Sequence, residues 1–452
     1  MPTIPKIITK TNVSVDVLNA IRNASSQNYK DYIPVATPNA EVIRKIGAVL
    51  VDSPNLANEF ISTLVNRIAR VYISSRSYQN PWSFFKKGVL EYGETIEEIF
   101  VNIAKPYTFD QQEAEQKVFA REIPDVKSAF HVMNYQKFYK VTISEDQLRQ
   151  AFLSLEGVTD LIAKITETLV TSMNYDEFLT MKYMLARRLL DGLMYTEKID
   201  AVSTANMKSI ISTIKGVSND MTFMSPKYNL MGVYNHTTKD RQYIIVNSKF
   251  DATMDVEVLA SAFNMDRAEF FGHRVLVDSF ANLDTARLAD LFKDDPTYEE
   301  IKQNELEALD TIPAILVDED FFQIYDNLLK FTDNYNGQGL YWNYCYHAWK
   351  TFSVSPFANN VAFISTEQTV DSVDVNPKTA TMSVGDFAIF TAKVTGSAFV
   401  DKGVVWSISS DKATVDTNGK VTILDGATGE ITVTATSKAD SSKSANATIT
   451  VA

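Results

Sequence analysis

The sequence predicts an α+β chain with a separate all-β sandwich at its C-terminal end, and three observations carry that prediction. Residues 158–191 run for 34 positions without Gly or Pro until Gly192. Within them Val158, Ile162, Ile165, Leu169 and Met173 recur at steps of three and four, which is one face of a helix. Residues 76–130 alternate polar and apolar side chains without a strongly hydrophobic face, as an exposed strand pair does. From Thr369 onward the chain turns to Thr, Ser, Val and Ala with no Arg, in short alternating runs separated by turn residues.

Taken in order, residues 1–75 are interrupted by Pro2, Pro5, Pro34, Pro38 and Pro54 and read as an arm with two helices, 15–23 and 56–71. The second sets Phe60, Leu64, Ile68 and Val71 on one side. In residues 76–130 an isolated hairpin is marginal in water, so the ribbon either stays loose or packs on a neighbouring molecule. Arms of about 20 residues would reach about 65 Å. Glu91, Glu94, Glu97, Glu98, Glu113 and Glu115 read as a solvated or intersubunit face. Residues 131–143 look like strand. Ser144-Glu145-Asp146-Gln147 is a capping box opening a helix to about residue 155, and Gly157 separates it from the long helix. At 1.5 Å per residue that helix is about 51 Å long, with its stripe slipping near Asn174 and resuming at Phe178, Met181, Leu185 and Leu189.

Residues 196–330 read as an α/β lobe with strands at 243–247, 275–278 and 314–317 and a helix at 256–263. Asp290 to Asp326 carries twelve acids against Lys293 and Lys302, which predicts a solvated surface with an exposed helix at 297–309. Residues 339–365 are densely aromatic. In a strand, Tyr341, Asn343, Cys345, His347 and Trp349 point one way and Trp342, Tyr344, Tyr346 and Ala348 the other. Both faces are bulky, so both should be covered, one of them by the long helix. After Thr369, Phe390-Ala392-Val394, Val421-Ile423, Ile431-Val433-Ala435 and Ala447-Ile449-Val451 alternate as strands, with turns at Gly385-Asp386, Asn418-Gly419 and Gly426. This is an immunoglobulin-like layout without the cysteine pair, with Trp406 as its core anchor.

Composition bounds the function. A net charge of −13 opposes a tight grip on nucleic acid, which needs clustered cations, though not a place beside it. Cys345 is the single cysteine, so no intramolecular disulfide framework is expected. Amid Tyr344, Tyr346 and Trp349 it reads as a buried small hydrophobe. Residues 1–18 lack the apolar centre of a signal peptide and no run of 18 apolar residues occurs; a reducing cytoplasm and no membrane partner are expected. There is no Walker loop, zinc spacing or G-x-S-x-G, and His131, His236, His273 and His347 lack partners at metal-ligand spacing. His347 reads as a satisfied core residue and Gly337-Gln338-Gly339 as a turn. Asp318-Glu319-Asp320 reads as the acidic start of a helix over 321–329 rather than an ion site. No catalytic, cofactor-binding or metal residue is expected.

Several strings together resemble one family: Val17-Leu18-Asn19-Ala20-Ile21-Arg22-Asn23, Thr95-Ile96-Glu97-Glu98-Ile99, the run from Ala114 to Glu122, Ala262-Phe263-Asn264-Met265, Tyr325-Asp326-Asn327-Leu328 and the aromatic segment. They are similar to the major capsid proteins of small podoviruses of the phi-29 type. Separately, Pro377, Val384-Gly385, Val405-Trp406-Ser407, Asn418-Gly419-Lys420-Val421 and Ile431-Thr432-Val433-Thr434-Ala435 resemble a bacterial immunoglobulin-like group 2 domain. The resemblance implies an HK-97-type capsid fold. Residues 1–78 become the N-terminal arm, 79–130 the extended loop, 131–196 with 331–366 the peripheral domain with its spine helix, and 197–330 the axial domain; 369–452 form the immunoglobulin-like domain. Residues 283–311 do not match and read as an insertion.

The resemblance further implies a structural subunit of an icosahedral tailed-phage head. Pentamers and hexamers of it would enclose double-stranded DNA in the virion capsid after assembly in the host cytoplasm. Expected partners are copies of itself, portal and scaffolding proteins, DNA by non-specific proximity, and a head fibre or cell-surface polymer at the C-terminal domain. No cofactor, cross-link or enzyme activity is implied. Two rivals are a cell-surface or secreted binding protein, which needs an export signal, and a cytoplasmic enzyme, which needs converging polar residues.

Overall fold

The computed structural model describes residues 13–53, 55–60, 63, 78–91, 95–107, 121, 123–146, 157–259 and 273–451. In chain order the helices are α1 (Val13–Ala24), α2 (Gln27–Tyr32), α3 (Ala40–Asp52), α4 (Gly157–Leu190), α5 (Met207–Asp220), α6 (Ser248–Leu259), α7 (Thr285–Leu291) and α8 (Gln303–Asp310). The strands are β1 (Lys86–Val89), β2 (Ile96–Val101), β3 (Val126–His131), β4 (Tyr135–Ser144), β5 (Tyr195–Lys198), β6 (Gln242–Asn247), β7 (His273–Val277), β8 (Ala314–Asp318), β9 (Phe322–Asn336), β10 (Tyr341–Val354) and β11 (Asn360–Ile364), followed by nine strands of the C-terminal sandwich. The chain divides into two units: Met1–Glu97, Phe130–Phe178 and Phe322–Ser353; and Glu98–Ala129, Leu179–Phe321 and Val354–Ala452.

The first unit is built on the sheet β1-β9-β10-β4. Alternation along β10 buries Trp342, Tyr344, Tyr346 and Ala348 against Leu169, Val170 and Met173 of α4, as expected, and against Leu18, Ile21, Ile43, Ile46 and Leu50 of the arm. The opposite row, from Tyr341 to Trp349, is only half-buried where full cover was expected. The arm differs from the expectation too, because α2 and α3 are helices the prolines had argued against. Pro34 and Pro38 fall between them, and each has a side-chain N-cap: Ser26 Oγ accepts from the Tyr29 amide at 3.2 Å, and Asn39 Oδ1 from the Glu41 amide at 2.9 Å. Residues 55–60 are helical, while most of 61–71 lies outside the described residues, as does the expected helix from Gln147 to 155.

Trp342 anchors this core and is 1% exposed, with its indole N–H donating to Asn58. Trp342→Ala is expected to destabilise the first unit by about 3–5 kcal/mol, the usual range for deleting a buried Trp. Urea unfolding followed by circular dichroism checks this, and a loss under about 1 kcal/mol would mean the site collapses or was never packed.

Helix α4 is continuous through Asn174. Its apolar stripe slips there because the middle turns bury charge instead: Asp176, Glu177 and Lys182 are all buried. Its end is a Schellman motif, with Leu193 N to Arg188 O and Gly192 N to Leu189 O both 3.0 Å. Gly192 is left-handed, at φ +68°, and a Cβ there would sit 2.3 Å from the Val400 carbonyl oxygen.

The second unit holds a five-stranded sheet, β5-β11-β8-β6-β7, with α5 and α6 packed on it through Ile210, Ile214, Phe250, Val246 and Phe363. The expected helix at 256–263 begins earlier, at Ser248, and residues 260–272 lie outside the description. The helix expected at 297–309 starts only at Gln303. Asp295 Oδ1 captures the Thr297 amide in a turn at 2.8 Å, and Glu305 caps the Lys302 amide at 2.8 Å. Residues 322–336 form strand β9 rather than a helix from 321: pairing with β1 and β10 outweighs local preference.

In the C-terminal sandwich Phe390, Val421, Val433 and Ile449 are fully buried, while Trp406 is half-buried and lies over that core. The aromatic anchor is therefore Phe390, not Trp406.

Candidate functional site

Strands β2 and β3 form a two-stranded ribbon, closed beyond β2 by Asn102, whose amide donates to the Asp125 carbonyl at 2.9 Å and whose side chain donates to the Asp125 carboxylate at 2.9 Å. One face rests on its own chain. Ser355 Oγ donates to Glu98 at 2.7 Å, Phe100 stacks on Phe357 at 5.6 Å, Lys127 Nζ reaches the Met231 carbonyl at 2.7 Å, and the Tyr234 amide donates to Asn102 Oδ1 at 3.0 Å. This corrects the expectation of a ribbon that is either loose or covered only by a neighbour. The opposite face carries Ile99, Val101 and Ile103, exposed by 58%, 59% and 56%, and Val126 on β3 is exposed as well. A half-buried sheet ordinarily turns apolar residues in and polar ones out. Here the inward face mixes Phe100 with Glu98, Asn102 and Lys127, while the outward face carries the exposed aliphatic row beside Glu97, and an exposed apolar row of this kind marks an interaction surface.

The first unit contains a second functional-looking constellation, unforeseen in the sequence. Lys350 on β10, 1% exposed, sits 2.6 Å from Asp326 on β9 and is ion-paired with Glu177 on α4. Lys86 on β1 reaches the same two acids, at 3.2 Å from Glu177 and 2.5 Å from Asp326. Asn80 donates to Glu177 at 2.6 Å. Two cations thus balance two carboxylates, which ties β1, β9 and β10 of the sheet to helix α4. Burial alone would raise the Asp326 carboxyl, but the ammonium groups of Lys350 and Lys86 outweigh it and hold it below its ordinary value. Burial likewise opposes the Lys86 charge, and Glu177 and Asp326 outweigh that, so its value is raised.

The signs set a pH window. The Asp326 contribution is present above the unfolded carboxyl value, about 3.9, and is lost as pH falls through the lower folded value. The Lys86 contribution is present below about 10.4 and is lost as pH rises through the higher folded value. The thermal midpoint of the first unit, read by Trp fluorescence, should be level between these limbs. Asp326→Asn should lower the level and flatten the acid limb; an acid slope equal to that of the unaltered chain would contradict the assignment.

The remaining candidates are accounted for locally. His131 Nδ1 bonds Ser353 Oγ at 2.7 Å, His273 Nε2 the Asp240 carbonyl at 2.9 Å, and His347 Nε2 Thr332 Oγ1 at 3.0 Å. His347 and Cys345 are half-buried, on the less covered side of β10, rather than in the core. Asp318, Glu319 and Asp320 form the turn between β8 and β9, where Arg241 pairs with all three. Asn336 Oδ1 accepts from the Gln338 and Gly339 amides and closes the β9–β10 turn. Among the described residues no three His, Cys, Asp or Glu side chains form a metal-binding group, and no helix is long and apolar enough to cross a membrane.

Comparison with known proteins places this geometry. The model of the Phi29-like phage major capsid protein family matches residues 18–364, and that of the bacterial Ig-like domain (group 2) matches 369–449. The major capsid protein of Bacillus phage B103 is 36% identical, over 94% of this chain and 90% of its own length; that of Bacillus phage PZA is 35% identical, over 94% and 90%. The capsid structure of Staphylococcus phage Andhra shares the fold, with a TM-score of 0.51 at 16% identity, over 66% of this chain and 87% of that one.

Proposed function

Because this chain belongs to the Phi29-like phage major capsid protein family, we propose that it is the repeating subunit of an icosahedral head, assembling as pentamers and hexamers around double-stranded DNA. It is a structural capsid subunit of the virion that associates with itself. The kinship spans nearly the whole chain and sets aside the alternative of a cell-surface or secreted binding protein.

The observation that carries the reading is the outward aliphatic row of Ile99, Val101 and Ile103. Burial of apolar area is worth roughly 25 cal/mol per Å², and closed symmetry repeats one modest contact many times over. The work of the molecule on this reading is association, with no catalysis and no cofactor. We further propose assembly in the host cytoplasm, with scaffolding and portal proteins as partners. The net charge of −13 supports a wall beside which DNA slides without being gripped. The immunoglobulin-like domain carries Phe387 and Ile389 exposed on one strand, which supports an outward role toward a head fibre or cell-surface polymer. Electron microscopy of particles made with this chain tests the reading: closed shells are expected, and well-folded protein that never closes into shells under any assembly condition would refute it.

A further inference from the structure

One end of the five-stranded sheet holds a cavity of about 370 Å³, inside the range of small-ligand sites, roughly 300–1,000 Å³. Strands β5, β11, β6 and β7 run one way and β8 alone is reversed. The cavity lies where β6 and β11 finish: Asn247 ends β6, Ser365 follows β11, and both line it. In open α/β sheets ligands bind outside the carboxyl ends of the strands. Helix α6 starts directly after β6, so its first turn, through Lys249 and Phe250, borders the same space. Amide groups of a first helical turn have no intrahelical acceptor, and the helix dipole favours negative charge beside them.

Asn247 is the residue that points to a ligand. It is 5% exposed. Its Oδ1 accepts from the Lys249 amide at 3.0 Å, as a helix N-cap does, and that bond fixes which end of the carboxamide is oxygen. The Nδ2 end then carries two hydrogens and, among the described residues, meets no acceptor, whereas buried polar side chains ordinarily find partners. The threonines of the wall are occupied locally: Thr253 Oγ1 donates to the Lys249 carbonyl at 2.9 Å and Thr311 Oγ1 to the Ala308 carbonyl at 2.7 Å. The Ser365 hydroxyl and the exposed Lys249 ammonium bond no other group among the described residues. Asp310 also lines the cavity, with its Oδ1 accepting from Ser279 Oγ at 2.8 Å. One carboxylate opposite one ammonium discourages a second negative group on the ligand and offers an acceptor to a hydroxyl.

We infer that this cavity binds a small phosphate monoester with a hydroxylated body, its phosphate held by Asn247 Nδ2, Ser365 and the first turn of α6. Donors from three separate elements suit the tetrahedral spread of phosphate oxygens, whereas a planar carboxylate is matched by a single arginine fork. The size of the recess and the net charge of −13 favour a soluble ester over the DNA backbone. Isothermal titration calorimetry of the full chain with ribose 5-phosphate tests this, with inorganic phosphate and ribose in parallel. Saturable one-to-one binding of the ester is expected, with inorganic phosphate weaker and ribose silent. Asn247→Asp keeps the capping oxygen and replaces the free donor by a charged acceptor, so circular dichroism should be unchanged while affinity falls at least tenfold. Should that variant fail to fold, Ser365→Ala, which touches no helix cap, decides in its place through a severalfold loss. No saturable binding of either phosphate, inorganic phosphate or ribose binding as tightly as the ester, affinity unchanged in the deciding variant, or displacement of the ester by a duplex oligonucleotide would each overturn the inference. All of these leave the capsid reading intact, because the cavity belongs to the single chain.

Discussion

Val101→Asp is expected to leave the subunit folded and soluble and to abolish closed shells. The side chain is 59% exposed in the single chain, so a carboxylate there stays hydrated and disturbs no core. In an assembled interface the same carboxylate must shed water without a designed partner, an effective penalty of several kcal/mol per ion. Each copy meets that penalty, so even a modest loss per contact removes the closed particle. Electron microscopy with matched circular dichroism decides the matter. Shells at normal yield from Val101→Asp would show that this face is not where neighbours meet. Aggregated or unfolded protein would instead place Val101 in the fold, against its exposure.

Lys350→Met should be among the most damaging single changes inside the first unit. Lys350 and Glu177 are almost wholly buried, with side-chain exposures of 1% and 2%, and Asp326 is 11% exposed. Removing the buried ammonium leaves two carboxylates facing Lys86 alone. Breaking a buried pair in this way costs about 3–5 kcal/mol, whereas replacing both partners by apolar groups is often near neutral. Lys350→Met combined with Asp326→Leu leaves Lys86 and Glu177 as one balanced pair at 3.2 Å and should recover much of the loss. Urea unfolding followed through Trp82, Trp342 and Trp349, all in this unit, measures it. A double variant no more stable than the single one would show that charge imbalance is not the cause.

How far the sequence alone reveals this molecule depends on the range of the forces involved. The long helix, the alternation of β10 and the sandwich strands are local periodicities and were legible. Helix α5 carried an equally clean stripe, Met207, Ile210, Ile211, Ile214 and Val217, and could have been read. Strand β9 could not: its register with β1, Lys86 to Ile324 and Val89 to Asp326, joins segments far apart in the chain. The same holds for the charge constellation, since Glu177 and Lys350 are 173 positions apart and each looks like an ordinary surface residue in its own neighbourhood. Alternation in the ribbon was visible, but which of its two faces was already occupied was not. That choice depends on Ser355 and Phe357, which lie in another part of the chain.

An outward aliphatic face also gives association a temperature dependence. Release of water from such surface is driven by entropy near room temperature, and the drive weakens on cooling. Contacts made through Ile99, Val101 and Ile103 should therefore tighten as the solution warms. Particles held in the cold should be easier to take apart than the same particles at growth temperature.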